Sequence, residues 1–243
     1  VFEKDFLIDH FYGINMQLLF NLSALDGSKQ SIAADINQMV IAGWAGRDQA
    51  AIEHHIEELA AIGVPRPSSV PLFYRVASQT LTQRSTIEVV GHESSGEVEV
   101  FIFTHQGELL VSLTSDHTDR GLETVSVALS KQVCSKPVGS NAWRFKDVAA
   151  HWDQLRIESH IYENGKRVQY QSGPMSALLH PKDLIMRYSK SELLPAGVAM
   201  SCGTVGTQGA IRPAERFEMS LIDPVLNRSL SHTYDIEILS KVS

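Results

Sequence analysis

The stretch SGEVEV, residues 95–100, sets Glu97 and Glu99 two residues apart, with no Lys or Arg beside them. If the stretch is a strand, both side chains leave one face. Two carboxylates held that close repel, raise each other's pKa and call for a positive partner. The next alternating run, ELLVSLT, is followed by Asp116. A hairpin joining EVEVFIF to ELLVSLT returns Asp116 to the end where the glutamates stand. Three hard oxygen ligands then converge, a set that suits Mg²⁺ or Mn²⁺ better than zinc, which prefers His and Cys. A hairpin whose polar face is simply wet accounts for the same spacing, because E-x-E is common in strands. The residues alone leave both readings open.

The segment SDHTDRG adds His117, Asp119 and Arg120, and SKQVCSKPVG brings Lys131 and Lys136. An acidic pocket flanked by Arg and Lys fits an anionic, chelating substrate. A cation polarises the substrate's oxygens, and basic side chains hold its carboxylate or a developing enolate. The glycine-rich GTVGTQG lacks the Lys of a phosphate-binding loop and the strand-helix context of a dinucleotide fingerprint. It reads as a tight turn in which Gly203 lets backbone amides approach a carboxylate and Thr204 offers a hydroxyl. No G-x-S-x-G elbow occurs. His151, Trp152 and Asp153 read as capping and packing residues, and Arg47 with Asp48 as a helix cap.

The elements that must position these groups are mostly short strands. QLLFNLSAL and INQMVIAGWAG read as two strands around a polar loop at Asp26–Ser28. RDQAAIEHHIEELAAIG reads as a helix, with Ile52, Ile56 and Leu59 on one face and Gly63 and Pro65 ending it. Nine more strand candidates follow, from PLFYRVA to LSHTYDIEIL, punctuated by turns at His105-Gln106-Gly107 and Glu163-Asn164-Gly165. Helices are predicted only at 122–132, near Lys146–Trp152 and near Pro181–Tyr188. The fold class is mixed α/β and β-rich, a rolled or barrel-like mixed sheet with peripheral helices. Residues 1–15 read as a leader or tag, 16–63 as an N-terminal subdomain with a candidate lid helix, and 64–243 as a metal-binding β-roll domain.

Composition narrows the partners. The chain has 243 residues, 43% of them hydrophobic, and a formal net charge of −7 with no basic run. That disfavours nucleic acid, whose phosphates need clustered Lys and Arg. No apolar stretch approaches a membrane span. Cys134 and Cys202 lie far apart without a CxxC, so a reduced, cytoplasmic setting with packed thiols is expected.

Taken in order, GEVEV, SDHTDR, SKQVCSKPVG and PAGVAMSCGTVG resemble the motifs of the fumarylacetoacetate hydrolase superfamily. The strings AGWAGRD, HHIEELAAIGVPRPS, SDHTDR, SKQVCSKPV and HWDQL further resemble the DUF2848 family over nearly all of 16–243. Two departures stand out: Glu123 replaces a frequent Gln, and PAGVAM lacks the Asp that often follows its glycine. The resemblance implies a rolled, mostly β fold, often dimeric, and Mg²⁺ or Mn²⁺ held by Glu97, Glu99 and Asp116. It implies hydrolysis of C–C bonds in 1,3-dicarbonyl or 2-oxo acids, or isomerisation, hydration or decarboxylation of related acids. A non-catalytic binding protein on the same fold is the further alternative. Lys131 would steady the enolate, with Arg120, Gly203 and Thr204 at a small anionic substrate. Hydrolytic members activate water with a His–Glu pair on an N-terminal element. In EHHIEE the apolar stripe favours His55 with Glu58 over His54 with Glu57, because His55 lies nearer the buried face.

Overall fold

The computed structural model describes residues 16–61 and 66–242, so the expected leader lies outside them. The first elements are β1 (Met16–Ser23), β2 (Lys29–Ile36), β3 (Gln38–Gly43), helix α1 (Gln49–Ala61) and β4 (Leu72–Val76). Next come β5 (Thr86–Val90), β6 (Val98–His105), β7 (Glu108–Ser115), α2 (Arg120–Glu123) and α3 (Val127–Gln132). The chain continues with β8 (Asn141–Arg144), β9 (Arg156–Glu163), β10 (Lys166–Pro174), α4 (Pro181–Ser189), β11 (Val198–Ser201), β12 (Arg216–Asp223) and β13 (Arg228–Leu239). Short two-residue bridges and 3₁₀ turns fill the gaps.

Eight strands form one curled, mixed sheet in the order β2-β1-β8-β7-β6-β11-β3-β4. Five form a second, in the order β10-β9-β12-β13-β5. This is the β-rich α/β architecture that the alternation predicts. β1 to β3 belong to the large sheet, and the connector after α1 leads to β4, the neighbour of β3.

The central strands are buried on both faces and divide two cores. Val98, Val100 and Ile102 of β6 join the large core, which includes Phe217, Met219 and Tyr234 of the second sheet. Phe101 and Phe103, one residue out of phase, join a smaller core with Phe20, Ile36, Met39 and Leu110. The smaller core draws almost wholly on strands of the large sheet, so that sheet packs on itself. Glu97 and Glu99 continue the Phe101–Phe103 row toward the start of β6, and the chain therefore ends one line of its inner core in carboxylates.

Three local readings differ from expectation. The stretch Lys29–Ile36 is a strand that the sequence reading passed over, because only Ile32, Ala34 and Ile36 face inward and the outward positions are polar or, at Ala33, small. The helix expected over 122–132 is two pieces. Ser126 adopts extended backbone and caps the second, its side chain accepting from the Leu129 amide. The helix expected near Lys146–Trp152 is a pair of 3₁₀ turns. The two hairpin turns appear as read: Gln106-Gly107 and Asn164-Gly165 all have positive φ, the backbone of a type I′ turn. Among the described residues, no helix is long and apolar enough to cross a membrane.

Gly96, just ahead of Glu97, has no room for a side chain. A Cβ there would lie 2.6 Å from the Tyr234 hydroxyl and 2.8 Å from the Phe217 ring, both buried. Gly96→Ala should cost about 1–3 kcal/mol through overpacking, read as a lower urea midpoint at unchanged slope.

Candidate metal centre

The hairpin of β6 and β7 does what the spacing predicts. Glu99 pairs with Thr114 in the ladder, and the Asp116 amide donates to the Glu97 carbonyl at 2.9 Å. The Glu97 amide donates to the Ser115 hydroxyl at 3.2 Å. One ligand oxygen from each of Glu97, Glu99 and Asp116 lies within 4.8 Å of the others. Two oxygens bound to a single Mg²⁺ at about 2.1 Å each can be no more than roughly 4.2 Å apart. The trio is somewhat more open than that, and its all-oxygen chemistry fits a hard divalent cation.

The surroundings place opposite demands on the three acids. Glu99 is buried, and burial, then the Asp116 and Glu97 charges, push its pKa up to about 8. Its carboxylate accepts from the Gly203 amide at 3.1 Å. Gly203 has φ near +86°, and a Cβ there would lie 2.7 Å from Ala45 Cβ, so this close amide approach needs glycine. Asp116 behaves in the opposite way. Burial would raise its pKa, but Lys131 and Lys136 outweigh that and hold it well below the usual carboxylate range. Lys131 Nζ contacts Asp116 Oδ2, and Lys136 Nζ lies 3.1 Å from Oδ1. Burial alone would lower the Lys131 pKa, yet the carboxylates around it raise it.

Glu97 is half-buried and is steered by Arg120, whose Nη2 lies 3.1 Å from Glu97 Oε1. Arg120 also donates to the Ser95 hydroxyl at 2.7 Å and pairs with Glu123 at 2.9 Å. Burial would lower its pKa, but the two glutamates raise it. Glu123 thus completes the clamp on Arg120. The Thr204 hydroxyl donates to the Val98 carbonyl at 2.7 Å and accepts from Gln171 at 2.7 Å. Arg120, Gly203 and Thr204 therefore all lie beside the acids, each already bonded to protein groups.

The side chains of His55 and Glu58 lie outside the described residues, although residues 55 and 58 belong to α1. Asp48 caps that helix by accepting from the Ala50 and Ala51 amides. Arg47 makes a fork to Asp153, 2.7 Å in each arm, and does not cap. Trp152 is buried, and His151 contacts Asp223 at 3.0 Å. Cys134 and Cys202 are buried thiols, and burial pushes Cys134 up to about 11 and Cys202 well above its ordinary value.

Sequence reasoning noted Lys136 and His117 without giving them a role, and it missed two other neighbours of the site, Tyr74 and Gln171. Tyr74 of β4 presents its ring 5.7 Å from Lys131 Nζ. Gln171, fully buried in β10, accepts from the Val98 amide at 3.0 Å and ties the second sheet to the start of β6. His117 bonds Ser94 at 2.9 Å and Tyr234 at 3.0 Å. Burial, then Lys136 and Arg120, push its pKa down to about 3, so it stays neutral. Only a set of spacings within β6 and β7 carried a signal; these contacts join segments far apart in the chain.

The raised Glu99 pKa has a stability consequence. The folded state keeps a proton that the unfolded chain releases near 4.5. That contribution is full below about pH 4.5 and is lost as pH rises through about 8. In metal-free buffer, thermal stability should fall across this window, and Glu99→Gln should flatten the fall. A calorimetric melting series at stepped pH measures both slopes.

Several solved structures share the fold. The 2-keto-3-deoxy-D-arabinonate dehydratase complexed with magnesium and 2,5-dioxopentanoate is 13% identical, with 85% of this chain and 74% of that chain covered, at a TM-score of 0.62. Cg1458 with inhibitor is 14% identical, with 93% and 90% covered, at 0.61. The 4-oxalocrotonate decarboxylase of Pseudomonas putida G7, complexed with magnesium and adipate, is 16% identical, with 84% and 78% covered, at 0.50. The fold is of the fumarylacetoacetate hydrolase type. Among curated proteins there was no match. The family model described as "Protein of unknown function (DUF2848)" matches residues 42–234, and the chain belongs to that family.

Proposed function

We propose that this protein is a divalent-metal-dependent enzyme acting on a 2-oxo or 1,3-dicarbonyl acid, and that it hydrolyses a C–C bond of that acid. The observation that carries the proposal is the convergence of the Glu97, Glu99 and Asp116 oxygens within 4.8 Å. Glu97, Glu99 and Asp116 would hold Mg²⁺ or Mn²⁺. When bound, such a cation would supply Lewis-acid polarisation of the substrate's oxygens.

The chain's own residues do the rest. Arg120 fixes Glu97 through its ion pair, and the Gly203 amide fixes Glu99. Lys131 offers an ammonium beside the acids for the oxygen on which negative charge develops, the role of a preorganised electrostatic stabiliser. His55, with Glu58 one turn on, takes a proton from water as general base. Arg120, Gly203 and Thr204 are the proposed contacts for the substrate's carboxylate. A small anionic substrate and a homodimer complete the reading.

A second reading keeps the site and changes the reaction to a lyase or isomerase. Two proteins of like fold are a dehydratase and a decarboxylase, and the dehydratase holds magnesium with a dioxo acid. Decarboxylation, dehydration and isomerisation need no water-activating base.

Titration calorimetry with Mg²⁺ and Mn²⁺ should show binding to the wild type that the Glu97→Ala/Glu99→Ala pair has lost; equal binding by both would sink the metal reading. A panel of 2-oxo and 1,3-dicarbonyl acids followed by NMR then separates the reactions. If the enzyme is a hydrolase, His55→Ala should slow turnover by roughly 10²–10⁴-fold. Full activity in that variant would favour the lyase.

A further inference from the structure

Asp116 has both carboxylate oxygens engaged by lysines, and the two lysines are held in different ways. Lys136 is fully buried. Besides Asp116, its ammonium donates to the His117 carbonyl, and its backbone is pinned by a short bridge to Leu81. Of the three acids, Lys136 meets only Asp116. Lys131 stands in the last turn of α3 and keeps 8% of its side chain exposed. Its charge acts on Asp116, Glu97 and Glu99 together. The face of Tyr74, 5.7 Å away, offers an ammonium a second resting place.

An ammonium in contact with Asp116 whose charge also reaches Glu97 and Glu99 offsets the same repulsion that a divalent cation would. The two cations cannot share the cage, because like charges at that range repel strongly in a buried site. We propose that Lys131 is an exchangeable counter-ion that holds the metal's place in the metal-free protein, while Lys136 is a fixed one that keeps Asp116 aimed into the site. With a cation held by the three acids, Lys131 would give up its Asp116 contact and keep the Tyr74 face, turned toward the substrate. Its ammonium becomes available to a developing oxyanion only once the site is loaded. Lys131 thus links cation uptake to substrate readiness, and Lys136 acts as a positioning residue. The inference rests on the metal reading above.

Amine labelling of the whole wild-type protein by acetic anhydride, followed by peptide mass spectrometry, tests it alongside Mg²⁺ calorimetry. Lys131 labelling should rise roughly fivefold or more with Mg²⁺, at the calorimetric midpoint, as a contact ion pair is released. Lys136 should stay unlabelled throughout, and exposed Lys166 should react at a constant rate. Lys131→Met should bind Mg²⁺ roughly tenfold tighter, the gain from removing a competing cation. Mg²⁺ binding with flat Lys131 labelling would overturn the exchange and leave the metal reading intact. No binding by either the wild type or Lys131→Met would overturn both.

Discussion

The site depends on the register of one hairpin. Because β6 and β7 pair with Val98 opposite Ser115, the Asp116 amide meets the Glu97 carbonyl, and the acidic side chains are brought to one end of one face. A slip of one residue would turn Glu97 and Glu99 into the large apolar core and Phe101 and Phe103 out of the smaller one. The aliphatic and aromatic rows of β6 forbid that slip, since each belongs to a different core. Packing therefore fixes the geometry of the acids, and the acids make no demand on the register themselves.

Burial also explains why the site needs so many partners. A carboxylate in an apolar interior is costly unless paired. Asp116 meets this with two lysines, Glu97 with an arginine, and Glu99 with a backbone amide and a pKa that burial raises. Glu99 is the least compensated of the three, which makes it the acid most altered by any positive guest. The second sheet contributes through Gln171 and Tyr234, whose polar ends reach the beginning of β6 and the end of β7. Two sheets thus meet where the chemistry is set.

Much of this was legible in sequence because it is local. The E-x-E pair, the intervening turn at Gln106-Gly107 and the return to Asp116 lie within one hairpin, and period-2 alternation reads directly as facing. Strings such as AGWAGRD and HWDQL resemble the family whose model matches residues 42–234. What escaped was set by tertiary contact. Lys29–Ile36 hides as a strand because its inward side chains include a small alanine. Lys136 looks like an ordinary turn lysine, and only the fold reveals it as fully buried on Asp116. Tyr74 and Gln171 reach the site from distant strands, with no spacing to announce them.

The two cysteines offer a practical opening. Both are buried and hold their protons firmly, so neither competes for electrophiles in the folded state. A cysteine placed on the outer side of α1 would be the sole reactive thiol, and a single paramagnetic or fluorescent probe attached there would report on the position of that helix alone.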